Sequence, residues 1–360
     1  MIVKQFWNTA DMIVARPQSA SVRQASRRAL VAAVGALGLA LAGGGAALTA
    51  DGGYRVAERI AGPDGGYDYI SVDGPAKTVF VARSTGVMTL DLATRKIVSD
   101  IVPGVGVAAV MIIPGTDLML STNWRGDTAT LFNRKTGAVK ASIPTGKGPD
   151  GAQLVGGFAY VMNHGSSDIS VIDLASAKVV ATIPAGGVPE AAVSDGKGRL
   201  YVNVEDAADV LVIDTVRNVA VGRYPLPGCV EPTGIAFDAA SGLLLSACHN
   251  GVVKLIDHAT GADRGSVPVG KDADGAIFDA ARRLAYIPCG DGTLSIFSLD
   301  ARGAATAVAT VVTQPGAGTA ALDPDTGRLY LPAADYVTGA DGEETRVPGT
   351  FKVLVVEPVK

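Results

Sequence analysis

The sequence predicts an all-β protein built from a repeated unit of four short antiparallel strands, seven units closing into a ring. Three observations carry this. The first is a recurring apolar run that ends on a turn residue: Val87-Met-Thr-Leu-Asp91, Thr128-Ala-Thr-Leu-Phe-Asn133, Ile169-Ser-Val-Ile-Asp173, Val210-Leu-Val-Ile-Asp214, Val252-Val-Lys-Leu-Ile-Asp257 and Thr293 through Asp300. The turn residue falls at 91, 133, 173, 214, 257 and 300, in steps of 42, 40, 41, 43 and 43. A fixed period of this size marks a supersecondary unit that cannot bury its apolar face alone. The second observation is that each period holds four apolar runs rich in Val, Ile, Tyr and Thr, bounded by Gly, Asp, Asn and Ser, which read as strands. The third is that no extended window after the first 50 residues keeps a helical period. Four strands per repeat is the pattern of a propeller blade.

The third unit shows the four strands in order. Gly151-Ala-Gln-Leu-Val155 is followed by a Gly156-Gly157 turn and then Phe158-Ala-Tyr-Val-Met162. Asp168 through Asp173 and Lys178-Val-Val-Ala-Thr-Ile183 complete the blade. Innermost strands are expected near Tyr69, Val107, Ala152, Ala191, Gly234, Gly275 and Thr319, which makes seven blades. The seventh ends on a third strand, Val353-Leu-Val-Val-Glu357, and lacks a fourth. Tyr54-Arg-Val-Ala-Glu-Arg-Ile60 has the pattern of a fourth strand and stands at the other end of the chain. Pairing it with the last blade would close the ring and remove an exposed edge. The expected architecture is a seven-bladed, WD40-like β-propeller over residues 51–360.

Residues 169–204, ISVIDLASAKVVATIPAGGVPEAAVSDGKGRLYVNV, resemble the repeat of the YVTN (YncE-like) β-propeller family, with the tetrapeptide approximated as Tyr160-Val-Met-Asn163 and Tyr201-Val-Asn-Val204. The resemblance covers roughly 54–358. It implies a secreted or periplasmic propeller and says little about activity, because the repeat is a packing motif on which function is grafted.

Residues 1–50 read as a secretory signal peptide with a long n-region. Arg23, Arg27 and Arg28 precede the apolar run Ala29 through Ala42, and small residues follow to Ala50. Cleavage is expected near Ala47 or Ala50, leaving no stable membrane insertion. Removing 1–50 takes Lys+Arg from 31 to 26 and Asp+Glu from 35 to 34, so the net charge moves from −4 to −8. An acidic surface argues against nucleic-acid binding, which depends on cations neutralising phosphates. A monomer is expected.

In such a ring, the connections between blades share one face with the loops between second and third strands. That face collects the candidate binding residues: Asp68, Asp150, Glu190, Glu231 and Asp274 from the connections, with Arg83, Asn123, Trp124, Arg125, His164, His249 and Asn250 from the loops. Asp272 joins the acidic set. Carboxylates here either cap strand starts or gather around a hard cation, which wants several oxygen ligands at one point. No D-x-D-x-D-G motif occurs, so a divalent cation is left open, no metal ligand is assigned and the cofactor is unknown. His258 lies in a turn on the opposite face and reads as solvated.

Cys229 precedes the fifth innermost strand and Cys248 ends the second strand of that blade. Folding the hairpin so that 237 faces 243 brings 232 opposite 248, with Cys229 one step beyond. In an oxidising compartment this favours a Cys229–Cys248 disulfide, with Cys289 left over. The competing reading is a soft metal site from Cys248, His249 and Cys289. Residues 335–350 form a long insertion in the seventh blade, carrying Asp341, Glu343, Glu344 and Arg346 along with Gly339 and Gly342, and few apolar residues to pin it. It is expected to be mobile and either a binding loop or a tolerated ornament.

No C-x-x-C-H, G-x-S-x-G or phosphate loop occurs. Trp124 and Trp7 are the two tryptophans, too few for the blades of quinoprotein alcohol dehydrogenases. The expected role is therefore binding, of a small molecule or of a periplasmic or outer-membrane protein, on the face over the central channel. The rival is a cation-assisted lyase, lactonase or isomerase, or an accessory to a periplasmic redox pathway.

Overall fold

The computed structural model describes residues 53–339 and 344–359. The signal-peptide reading of 1–50 and the insertion residues Asp341, Gly342 and Glu343 lie outside the described residues. Seven four-stranded antiparallel sheets follow one another around a ring, with no helix among the described residues. Six are built from consecutive strands, spanning 67–103, 107–144, 149–184, 189–225, 232–268 and 277–312. The seventh is ordered Ala321–Asp323, Arg328–Ala333, Lys352–Pro358 and, as its outer member, Tyr54–Ala61.

Burial along each strand follows its position in the blade. The second and third strands are buried on both faces, as in Thr78–Arg83 and Ile169 to Ile172, because each face packs on a neighbouring blade. Outer strands such as Lys178–Pro184 alternate between exposed residues and half-buried or buried ones, with Ile183 buried. The buried apolar residues fall into seven clusters, one in each interface between successive blades. The interface between the last and first blades is made by Tyr67, Val79, Met88 and Leu90 against Tyr330, Phe351, Val353, Val355 and Ile60.

Two positions of the repeat explain how the units are joined. The tyrosine of the second strand is buried and reaches the next blade: Tyr160 Oη bonds the Thr215 carbonyl at 3.2 Å, and Tyr201 Oη bonds the His258 carbonyl at 3.1 Å. The periodic Asp or Asn builds the turn between third and fourth strands. Its side-chain oxygen accepts from backbone amides two or three residues on, at Asp91 from Ala93 and Thr94, at Asn133 from Lys135 and Thr136, and at Asp214 from Val216 and Arg217.

These bonds hold the Asp carboxyls below the usual carboxylate range. The Thr94, Arg217 and Ala304 amides are the main cause at Asp91, Asp214 and Asp300, the Ser176 hydroxyl at Asp173, and the Arg264 guanidinium at Asp257, which is held at about 2. Groups with depressed folded-state values stabilise the fold above their unfolded value, about 3.9, and lose that contribution as the pH falls through the folded one. The urea midpoint is expected to be flat above about pH 5 and to drop steeply below about pH 4. An equal midpoint on both sides of that window would remove the turn carboxylates from the stability of the ring.

The structure corrects several details. The inner strands of blades six and seven begin at Ile277 and Ala321, later than Gly275 and Thr319; before them Ala273 makes only an isolated bridge with Cys289. Gly275 lies in the gap where blades five and six meet. A Cβ at Gly234 would sit 2.4 Å from the Gly275 carbonyl carbon, so the close approach of these blades requires glycine. His258 is not merely solvated: its Nδ1 is 2.8 Å from the Gly242 carbonyl and its ring packs on Phe237. The long insertion is a hairpin, with Tyr336–Thr338 pairing Glu344–Arg346. Its base is tied by Val347 N to Asp335 O at 2.7 Å, Gly349 N to Asp64 Oδ1 at 2.6 Å, and Tyr336 Oη to Tyr67 Oη at 3.2 Å. The base thus has partners that its polar composition did not suggest.

Candidate functional site

The innermost strands do not run as plain ladders. In blade three Pro149 faces Asn163, but Ala152 faces Val161, so Asp150 and Gly151 together oppose Met162. The same one-residue shift occurs between Tyr67 and Ile70, Val107 and Val110, Pro189 and Ala192, and Pro232 and Ile235. A bulge of this kind re-aims a side chain out of the pleat. Asp68, Asp150 and Glu190 each occupy the first bulge position, and Asp274 follows the isolated bridge in blade six. Asp68, Asp150 and Glu190 therefore belong to the inner strands, a correction to their placement in the connections, whereas Asp274 stays in the connection before the strand that starts at Ile277. Glu231 and Asp272 do lie in connections, in left-handed turn conformations with φ of 49° and 53°.

Asp68, Asp150, Glu190 and Asp274 are all buried. Threonines of the adjacent blades clamp the backbone beside them. Thr122 Oγ1 donates to Asp150 O at 2.6 Å, Thr233 Oγ1 to Ala273 O at 2.6 Å, and Thr319 Oγ1 to Asp68 O at 3.2 Å. Sequence reasoning assigned these threonines no role; Thr122 stands on a second strand, Thr233 on an inner strand and Thr319 just before one, so no single repeat position marks all three. The residues after the acids, Tyr69, Gly151, Ala191 and Gly275, line a central channel of about 260 Å³ together with Met111, Gln153 and Asp274.

Blades two, three and four bring four of the candidates together. His164 follows the second strand of blade three, its amide bonded to Gly148 O at 3.0 Å. Its Nδ1 lies 3.2 Å from Glu190 Oε1, and the Glu190 side chain is 0% exposed. Asp150 completes the group: one ligand-type atom from each of Asp150, His164 and Glu190 falls within 4.8 Å of the other two. The Trp124 ring packs on the His164 ring with centroids 4.9 Å apart. Neighbouring Arg125 is exposed. The 26-residue separation of His164 and Glu190 follows from blade-to-blade register, and no local motif announces it.

The remaining candidates divide differently. Glu231 and His249 form a second pair, with Nδ1 3.2 Å from Oε2. Asn250 ties down the turn before blade five, accepting from Val230 N and donating to Gly228 O. Asn123 is buried and donates to Thr128 Oγ1 and Thr130 Oγ1. Arg83 is buried against the Phe351 ring at 3.7 Å and donates to the carbonyls of Pro63, Gly65 and Gly66. Burial, more than any neighbouring charge, pushes its guanidinium down to about 10. Asn123 and Arg83 therefore serve the blades, and their donors do not point to an open ligand surface.

Cys229 and Cys248 are joined by a disulfide with Cα atoms 5.5 Å apart. Pro232 does face Cys248, but Phe237 faces Leu244 instead of 243, and the bulge between Pro232 and Ile235 restores the register. The bridge removes Cys248 from any site with His249 and Cys289. Cys289 is a buried thiol pushed up to about 11 by burial first and the Asp291 carboxylate second, which disfavours the reactive thiolate.

No family model and no curated protein matches the chain. Solved structures do. The chain is similar to one in Kuenenia stuttgartiensis hydrazine synthase at 18% identity, covering 78% of this chain and 95% of that one with a TM-score of 0.65. It is also similar to one in the mitotic checkpoint complex at 14% identity, covering 92% and 99% with a TM-score of 0.71. At such identities the likeness establishes the fold, a seven-bladed β-propeller.

Proposed function

We propose that this chain is an exported propeller of the YVTN-repeat type that binds a small molecule or a protein partner on the face over its central channel, without catalysing a reaction. The observation that carries the reading is the convergence of Trp124, Asp150, His164 and Glu190 beside that channel. A half-buried aromatic next to fixed polar groups is the composition of a recognition patch. Export is supported by the leader pattern of residues 1–50 and by the Cys229–Cys248 bridge, which persists in oxidising compartments. The likeness to a chain of the mitotic checkpoint complex agrees with a partner-binding role. A monomeric propeller in the periplasm or outside the cell, engaging a soluble ligand or an envelope protein, fits these features.

Native mass spectrometry of the protein taken from its own exported fraction tests the reading. A retained organic ligand or co-purifying partner is expected, and the Trp124→Ala, Arg125→Ala double variant should lose it while unfolding at the same temperature. Bare chain mass throughout, or retention untouched by the double variant, would move the function away from this face.

A further inference from the structure

We propose that Asp150, His164 and Glu190 bind one divalent first-row transition-metal ion, with zinc as the representative. The inference goes beyond the binding role above, because the ion would be held with no organic ligand or partner present.

The geometry is close to that of a ligand set. His164 Nδ1 and Glu190 Oε1 are 3.2 Å apart. Two ligands each about 2.0–2.2 Å from a tetrahedral or octahedral ion lie about 3.0–3.5 Å from one another. No pair among the three donor atoms exceeds 4.8 Å. Drawing the widest pair into range takes about 1 Å of side-chain movement. The donors stand on fixed backbone. Asp150 and Glu190 sit in bulges of adjacent inner strands. The Asp150 carbonyl is clamped by Thr122, and the turn carrying His164 is bonded back to Lys147 and Gly148. Trp124 packs on the imidazole and restricts its rotation. A site positioned by strands and supported by packing is prepared for an ion before the ion arrives.

Charge and donor type point the same way. Asp150 and Glu190 are 2% and 0% exposed. Two carboxylates that deep carry a large desolvation cost, and a dication where they converge offsets it directly. A single imidazole beside two carboxylates suits zinc, iron or copper better than calcium, which takes six to eight oxygens. Three protein ligands leave at least one coordination position for water or an incoming oxygen donor, and the His164 side chain, 26% exposed, marks the open side.

The test uses the full chain carrying Trp7→Phe, so that Trp124 is the remaining tryptophan. After chelator treatment, Zn²⁺ is titrated by calorimetry and Co²⁺ by quenching of Trp124 emission. One equivalent of Zn²⁺ is expected, with Co²⁺ quenching reversed by EDTA. His164→Gln should weaken uptake at least about tenfold, and His258→Gln, on the opposite face, should not. The half-exposed His164 keeps the test decisive even where Asp150→Asn or Glu190→Gln fails to fold. Absence of saturable uptake, or uptake unchanged in folded His164→Gln, overturns the proposal. A retained organic ligand without zinc uptake defeats this inference alone; zinc uptake without ligand or partner defeats only the binding role.

Discussion

A chain starting at Asp64, and so lacking the strand Tyr54–Ala61, is expected to lose about 5 kcal/mol of stability, the burial of two or three apolar side chains and a ladder of backbone bonds. The strand pairs with Lys352–Pro358 from Tyr54 opposite Pro358 to Ala61 opposite Lys352. It buries Ile60 in the interface between the last and first blades. Tyr54 Oη meets Tyr286 Oη of blade six at 2.5 Å, their rings edge-on at 5.4 Å. Without the strand, Lys352–Pro358 becomes an unpaired edge open to association with other chains. Thermal unfolding followed by circular dichroism should show a midpoint lower by about 10 °C or more, together with concentration-dependent aggregation. A chain starting at Asp51 is the control. Matching midpoints for the two starts would mean that the pairing does not hold the ring closed.

The second large effect is expected from the disulfide. Cys229 and Cys248 are 19 residues apart, and a loop of that size corresponds to about 3 kcal/mol of constraint on the unfolded chain. Both cysteines also belong to the apolar cluster between blades four and five, with Tyr201, Leu244 and Ile256. The double variant Cys229→Ala, Cys248→Ala should therefore lower the urea midpoint by an amount corresponding to about 3 kcal/mol or slightly more. Non-reducing peptide mapping of the wild type should show the 229 and 248 peptides linked and Cys289 alkylatable only after unfolding, since that thiol is buried. Three thiols titrating in the unfolded protein without reductant would rule the bridge out.

The ring was legible in the chain because repetition multiplies weak signals. One apolar run ending on Asp is ambiguous, but six at nearly constant spacing demand a common element. The structure supplies the mechanism: the periodic residue caps its own turn amides, so its type and position are set by local chemistry that a sequence exposes directly. The Cys229–Cys248 proximity was legible for the same local reason, although the hairpin turns one residue away from the expected register and a bulge makes up the difference. The insertion looks unpinned in sequence because its anchors, Tyr67 and Asp64, lie far away along the chain.

The site was legible only as a roll of residues sharing a face. Arg83, Asn123 and Asn250 have the same side-chain types as binding residues, yet hydrogen bonding, joined by burial at Arg83 and Asn123, commits them to the fold. Composition cannot separate these two fates, because a donor looks the same in sequence whether its acceptor is a ligand or a carbonyl. By itself the sequence determined the class, the blade count and the turn chemistry, all of which follow from interactions within a few residues or between copies of one unit. The tertiary structure alone decided that Asp150 and Glu190 leave the pleat through bulges on adjacent blades and converge on the imidazole of His164. That convergence depends on the angle and register between neighbouring sheets, which are set by side-chain packing across the interface and are written in no local pattern.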